Sequence, residues 1–179
     1  VLRYAGNGEF DYRQLDLSVG VYHWLSHRAY LDVNWRNQQF FAENGGDRFL
    51  DDHQLRASLG RNDTLLPNLT LNSGYTLQSS WSNPEERSRL THRFNLGLSH
   101  ALSEQAEASL SYQMSLIDFT QQDRYDSYHQ LLAQLQFNLS EETRLTLFGG
   151  GRLGDSSHSL IDFDTTLLGV SRVLNLSLF

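Results

Sequence analysis

Residues 106–119 read AEASLSYQMSLIDF, and from Ala106 through Leu116 odd and even positions never mix. Ala106, Ala108, Leu110, Tyr112, Met114 and Leu116 form one set; Glu107, Ser109, Ser111, Gln113 and Ser115 form the other. Side chains of a strand alternate between the two faces of a sheet, so this stretch has one apolar and one polar face. A helix would need apolar residues about every 3.6 positions, and they are not there. The segment is a strand, and a long one, since soluble strands average nearer five or six residues.

The same rhythm recurs along the chain. Leu15, Leu17, Val19 and Val21 oppose Asp16, Ser18 and Gly20. Ala29, Leu31, Val33 and Trp35 oppose Tyr30, Asp32, Asn34 and Arg36. Further alternating runs cover HQLRASLGRN (53–62), NLTLNSGYTLQSSW (68–81), RLTHRFNLGLSHAL (89–102), HQLLAQLQFNLS (129–140), TRLTLFGGGRLGD (143–155) and DTTLLGVSRVLNLSLF (164–179). Nine strands and no helix make the chain all-β. Short turns are expected near Ser26-His27, Leu66-Pro67-Asn68, Ser103-Glu104-Gln105 and Glu141-Glu142. Longer polar loops are expected at 42–50, 82–87, 121–127 and 156–163.

Composition narrows the classes. The chain has 179 residues, the size of one domain, so 1–179 is read as a single domain or part of a longer one. Mean hydropathy is −0.46, yet 12% aromatic content and clear periodicity argue against disorder. No apolar run is long enough for a membrane-spanning helix. There is no apolar N-terminal signal segment, which reads as a mature or trimmed chain. Cysteine is absent, and the net charge of −7 disfavours a nucleic-acid partner. All 14 cations are arginine, the residue of fixed ion-pair ladders and phosphate contacts.

The alternation alone leaves two readings: an apolar face covering a protein core, or one touching lipid while the polar face lines a lumen. The polar face is mostly Ser, Thr, Asn, Gln and Gly with sparse Arg, where a solvated outer face carries mixed charges. Trp35, Tyr75, Trp81, Phe94, Tyr112 and Phe137 lie off-centre or near strand ends, as an interfacial girdle would. Tight turns at one end and longer loops at the other complete the pattern. The expected fold is therefore an antiparallel up-and-down transmembrane β-barrel. Nine full strands are visible, plus a shortened N-terminal one at Val1–Tyr4, giving ten strands or the C-terminal part of a larger barrel.

HRFNLGLSHALSEQAEASLSYQ (92–113) and LLAQLQFNLSEETRLTLFGGG (131–151) each run strand, polar turn, strand. In these phrases the chain resembles bacterial outer-membrane β-barrel proteins, including porin-like barrels and those attached to exopolysaccharide export systems. The resemblance implies an outer-membrane location, contact with lipid and lipopolysaccharide, and a periplasmic or secretion-system partner. It also implies a terminal outward aromatic. Phe179 is present, but Leu178, Leu176 and Leu174 hold the opposite parity, and the same parity puts Arg172 on the lipid face near mid-strand. A bulge near the end, or a few residues missing after Phe179, would reconcile the terminal parity, and a bulge around Ser171–Val173 would relieve Arg172.

Lumen-lining candidates are Arg36, Arg56, Arg93, Arg152, Asp16 and Asp32, with Arg28, Glu107 and Arg144 nearer the tight-turn end. They read either as an eyelet favouring anionic solutes or as a ladder filling the barrel. Gly20, Gly60, Gly74, Gly97, Gly150 and Gly154 either clear a channel or relieve crowding. The seven histidines show no metal-ligand spacing, and no cofactor is implied. The leading expectation is transport or export of hydrophilic solutes or polysaccharide, not catalysis. A plugged barrel acting as anchor or scaffold is the second reading. A rim-loop enzyme using Asp155, Ser157, His158 and Asp162 is the third.

Overall fold

The computed structural model describes residues 12–42, 46–140, 142–158 and 162–174. They form one nine-stranded antiparallel sheet in chain order: β1 (Tyr12–Trp24), β2 (Ala29–Ala42), β3 (Arg48–Leu66), β4 (Leu69–Asn83), β5 (Arg89–Ala101), β6 (Ala106–Phe119), β7 (Arg124–Asn138), β8 (Thr143–Ser156) and β9 (Phe163–Leu174). Every strand pairs only with its sequence neighbours, so the all-β, up-and-down expectation holds. The N-terminal strand and the Phe179 terminus expected from the sequence lie outside the described residues.

Three of the tight turns share one device. Leu25-Ser26, Leu102-Ser103 and Leu139-Ser140 each begin a four-residue connection. Ser26 Oγ accepts from the Ala29 N–H and Ser140 Oγ from the Thr143 N–H, both at 3.1 Å; Ser103 Oγ accepts from the Gln105 N–H at 3.2 Å. The hydroxyl stands in for a backbone acceptor and closes the turn locally. At the opposite end the strands run part of the way into the expected long loops: β3 begins at Arg48, β4 runs to Asn83 before a 3-10 turn at Glu85–Arg87, β7 begins at Arg124 and β9 at Phe163. Polar residues there stay in the ladder because the ladder, not apolar burial, satisfies their backbone groups.

The strands are staggered as a barrel requires. Trp24 and Tyr30 pair at the end of the β1–β2 hairpin, and their row continues through Gly60, Gly74, Asn95 and Gln113 to Gln130. Gln130 stands eight residues short of Asn138, where the β7 ladder ends. A slip of that size over six strand spacings corresponds to strands tilted by about 40°, within the range of closed barrels. Among the described residues no ladder joins β1 to β9.

Burial is inverted relative to a soluble protein. Among the described residues no hydrophobic side chain is buried; Asn37, Asp52, Ser80, Ser82, Ser88, Thr91, Ser115 and Asp126 are the buried ones. Leu17, Val19, Leu59, Leu96, Leu110, Leu131, Leu147 and Leu168 are exposed on the face opposite the polar set. This is the wall of an up-and-down barrel, apolar outside and polar inside. Arg172 corrects one expectation. It pairs with Leu145 in an unbroken β8–β9 register, with no bulge, and sits two residues from the start of β8. It is therefore at the tight-turn margin rather than mid-strand, where a guanidinium can extend toward water.

Candidate functional site

Register sorts the polar face into a belt. Arg36 lies seven residues from the tight-turn end of β2, Arg56 ten from that of β3, Arg93 eight from that of β5 and Arg152 nine from that of β8. Asp16 lies eight from that of β1, whereas Asp32 sits lower, three from that of β2. The four arginines step down one paired row at a time as the strands tilt. They consequently stand at nearly one height on the polar face.

Their partners differ. Arg36 Nε donates to both Asp16 oxygens, at 2.9 and 3.0 Å, and an Nη2 contact makes the pair bidentate. Gln38 Nε2 donates to the same carboxylate at 3.2 Å, and Gln54 Nε2 donates to Gln38 Oε1 at 3.3 Å and to Asp52 at 2.6 Å. Ser82 Oγ closes the chain on Asp52 at 2.7 Å. A continuous hydrogen-bond chain thus crosses β1 to β4. Arg56 meets Asp32 at 3.4 Å, with its Nε buried and unpartnered. Arg93 and Arg152 have neutral partners, Ser115 Oγ at 3.4 Å and Gln130 Oε1 at 2.8 Å. Charge is therefore cancelled on the β1–β3 side of the belt and uncancelled on the β5–β8 side.

Nearer the loop end, Asp126 is 1% exposed and held by Arg124 at 2.5 Å, Ser156 Oγ at 2.5 Å and Tyr128 Oη at 3.2 Å. A buried carboxylate needs this many donors to remain ionised. The rim groups considered for catalysis are used locally. Ser157 Oγ accepts from the Tyr125 N–H at 3.0 Å, and Asp162 accepts from the Ser156 N–H at 2.7 Å. Among the described residues no three metal-ligating side chains converge.

The glycines divide. A Cβ on Gly60 would strike the Tyr30 ring at 2.3 Å and one on Gly154 the Phe163 ring at 2.4 Å, so these two seat aromatic rings. Gly74 and Gly97 are open and line a recess of about 380 Å³. Aromatics of the polar face, among them Tyr22, Trp24, Tyr30, Tyr128, Phe148 and Phe163, do not stand out in the sequence, although Tyr22 and Trp24 continue the parity of Asp16, Ser18 and Gly20. Trp35, Tyr75 and Tyr112 each lie six residues into an ascending strand on the apolar face, within the apolar surface rather than at its edge. Tyr75 and Tyr112 each bond a histidine there, His92 and His129, at 2.8 Å.

No protein-family model matches this chain. No curated protein matches it either. Among solved structures it is similar to a KdgM porin in complex with disordered oligogalacturonate, at 11% identity and a TM-score of 0.35, over 92% of this chain and 98% of that one.

Proposed function

We propose that this chain is the wall of a bacterial outer-membrane β-barrel whose concave face encloses water and passes hydrophilic solutes. The observation that carries the reading is the inverted burial: apolar residues face out over a band of defined height. On β6 the outward set runs from Ala106 to Leu116 before Asp118 interrupts it. With strands tilted about 40°, those residues rise roughly 25 Å, the height of an outer-membrane barrel's apolar girdle. A water-exposed apolar surface of that extent would drive association. In the membrane the tight turns face the periplasm, the extended polar strand ends reach past the lipopolysaccharide headgroups, and Arg172 sits at the inner interface.

The belt supports a mild anion preference, because Arg93 and Arg152 keep their charge while Arg36 and Arg56 are matched by Asp16 and Asp32. The chain of pairs across β1 to β4 favours a second reading, in which side chains fill the lumen and the barrel serves as anchor or scaffold. Planar-bilayer recordings separate the two. Discrete steps with a reversal potential shifted toward the anion support passage; a folded but silent protein sinks it in favour of the scaffold. Membrane insertion itself is tested by brominated lipids, which should quench outward Trp35, six residues up β2 and within the band; unquenched Trp35 emission would refute the barrel.

A further inference from the structure

One paired row climbs the concave face from the tight-turn end through rings, glycines and carboxamides, and meets the arginine belt only at its last member, Arg152. It runs Trp24, Tyr30, Gly60, Gly74, Asn95, Gln113, Gln130, Arg152. At its first end Tyr30 lies across Gly60, stacked on Tyr22 at 5.1 Å and 25°, with Trp24 edge-on at 5.9 Å and 74°. Trp24 and Tyr22 lie on the edge strand β1, where every residue after Tyr12 is exposed. Beside the other end, in the adjacent row of Tyr128, Gly154 and Phe163, the Phe163 ring lies across Gly154 and stacks on Tyr128 at 5.8 Å and 28°. Each ring seated on glycine lies flat and, with the ring stacked beside it, makes a small aromatic platform.

Between these ends the wall is glycine and carboxamide. The recess of about 380 Å³ borders Tyr30, Asn72, Gly74, Asn95, Gln113 and Gln130. A second, of about 210 Å³, borders Tyr128, Arg152 and Phe163 and shares Gln113 and Gln130 with the first. The two adjoin at these side chains. Among the described residues no carboxylate lines either one, and Arg152 is the single guanidinium.

We propose that this row is a binding track for an uncharged polyhydroxylated chain, an oligosaccharide, laid across β2 to β8. Sugar rings have one C–H-rich face that stacks on an aromatic ring and a rim of hydroxyls that both donate and accept. Carboxamides answer such hydroxyls because each carries a donor and an acceptor side by side. An anion would be served better by the belt above, and an apolar chain would strand the amides. From Gly60 to Gly154 the track spans five strand spacings, about 24 Å along the wall, room for a chain of several rings. The proposal rests on the concave face being open to water.

The test uses the chain with Trp35→Phe and Trp81→Phe, leaving Trp24 as its one tryptophan, folded in an amine-oxide detergent without sugar headgroups. Maltohexaose should change Trp24 emission saturably, and Tyr30→Ala should weaken the half-saturation about tenfold, the loss of one stacking face. Gln113→Leu, remote from the aromatic cluster, should also weaken it and serves if Tyr30→Ala does not fold. Emission unmoved by maltohexaose overturns the proposal, as does binding that neither substitution alters. Preference for a uronate hexamer that Tyr30→Ala leaves intact overturns it in favour of charge recognition. A saturable response from a protein silent in bilayers would instead retire the transport reading and keep the site.

Discussion

Leu110→Arg places a cation where the lipid assignment is most exposed to failure. Leu110 faces outward on β6, four residues above its tight-turn end, and is 46% exposed. At the strand tilt deduced above it stands roughly 10 Å up a 25 Å band, close to the midplane. An arginine there should cost about 2–4 kcal/mol in a bilayer, whereas at a half-exposed site in water it should cost within about 0.5 kcal/mol. Two companions turn the number into a depth series. Leu116→Arg, near the top of the band, should cost about 0–1 kcal/mol. Ser111→Arg, one residue away but on the concave face beside Gly97, should cost little because its guanidinium meets water. Guanidinium-driven unfolding from phospholipid vesicles, followed by tryptophan emission, gives all three. Equal losses for Leu110→Arg and Ser111→Arg, or no dependence on depth, would refute the assignment of faces.

Other consequences follow from the same geometry. Arg93→Ala should lower anion preference in reversal-potential measurements, and Asp16→Ala should raise it by freeing Arg36; opposite or absent shifts return both to structural filler. Arg124→Ala should cost about 3–5 kcal/mol in the same unfolding assay by stranding the buried Asp126, and Asp126→Asn added to it should recover part of the loss. Gly150→Ala should abolish folding, since its Cβ would meet the Leu131 carbonyl oxygen at 2.1 Å, whereas Gly151→Ala, 3.8 Å from the Thr165 carbonyl oxygen, should fold normally; heat-modifiable gel migration reads both. Cysteines at Val19 and Leu168, outward on β1 and β9, should not cross-link if a further strand lies between those edges; efficient disulfide formation would mean direct closure.

What the sequence made legible follows from where the turns are. Asp16 and Arg36 share a hairpin whose register is centred on the short Ser26–Arg28 turn, so their pairing is implied by counting outward from it. Arg56 and Asp32 are different. Their strands meet across residues 43–47, and the register slips between Phe40 and Phe41, so no count from the loop predicts which carboxylate meets which arginine. The same nonlocality hid the aromatic row. Tyr22 and Trp24 look like a girdle until parity is carried forward from Asp16, and Tyr30 gains its role only because Gly60 arrives opposite it from β3. Arg172 looked mid-strand because the alternation continues to Leu178; the β8 partner, beginning at Thr143, fixes its height instead. Strand identity is local. Stagger, which decides what faces what, is not.

The two edges of the sheet carry the remaining logic. β1 and β9 both run from the loop end to the tight-turn end, because eight antiparallel steps separate them. A ladder made directly between them would be parallel, less stable per residue than the antiparallel kind used everywhere else in this wall. Neither edge can stay open in hydrocarbon, where each unmet N–H or C=O costs several kcal/mol and nothing but another strand can meet a whole row of them. One strand running upward, from the tight-turn end to the loop end, would keep every ladder antiparallel. It would also place both of its neighbours' polar faces toward the same water. The direction of any strand that joins these two edges is thus set by the strands already present, whichever segment supplies it.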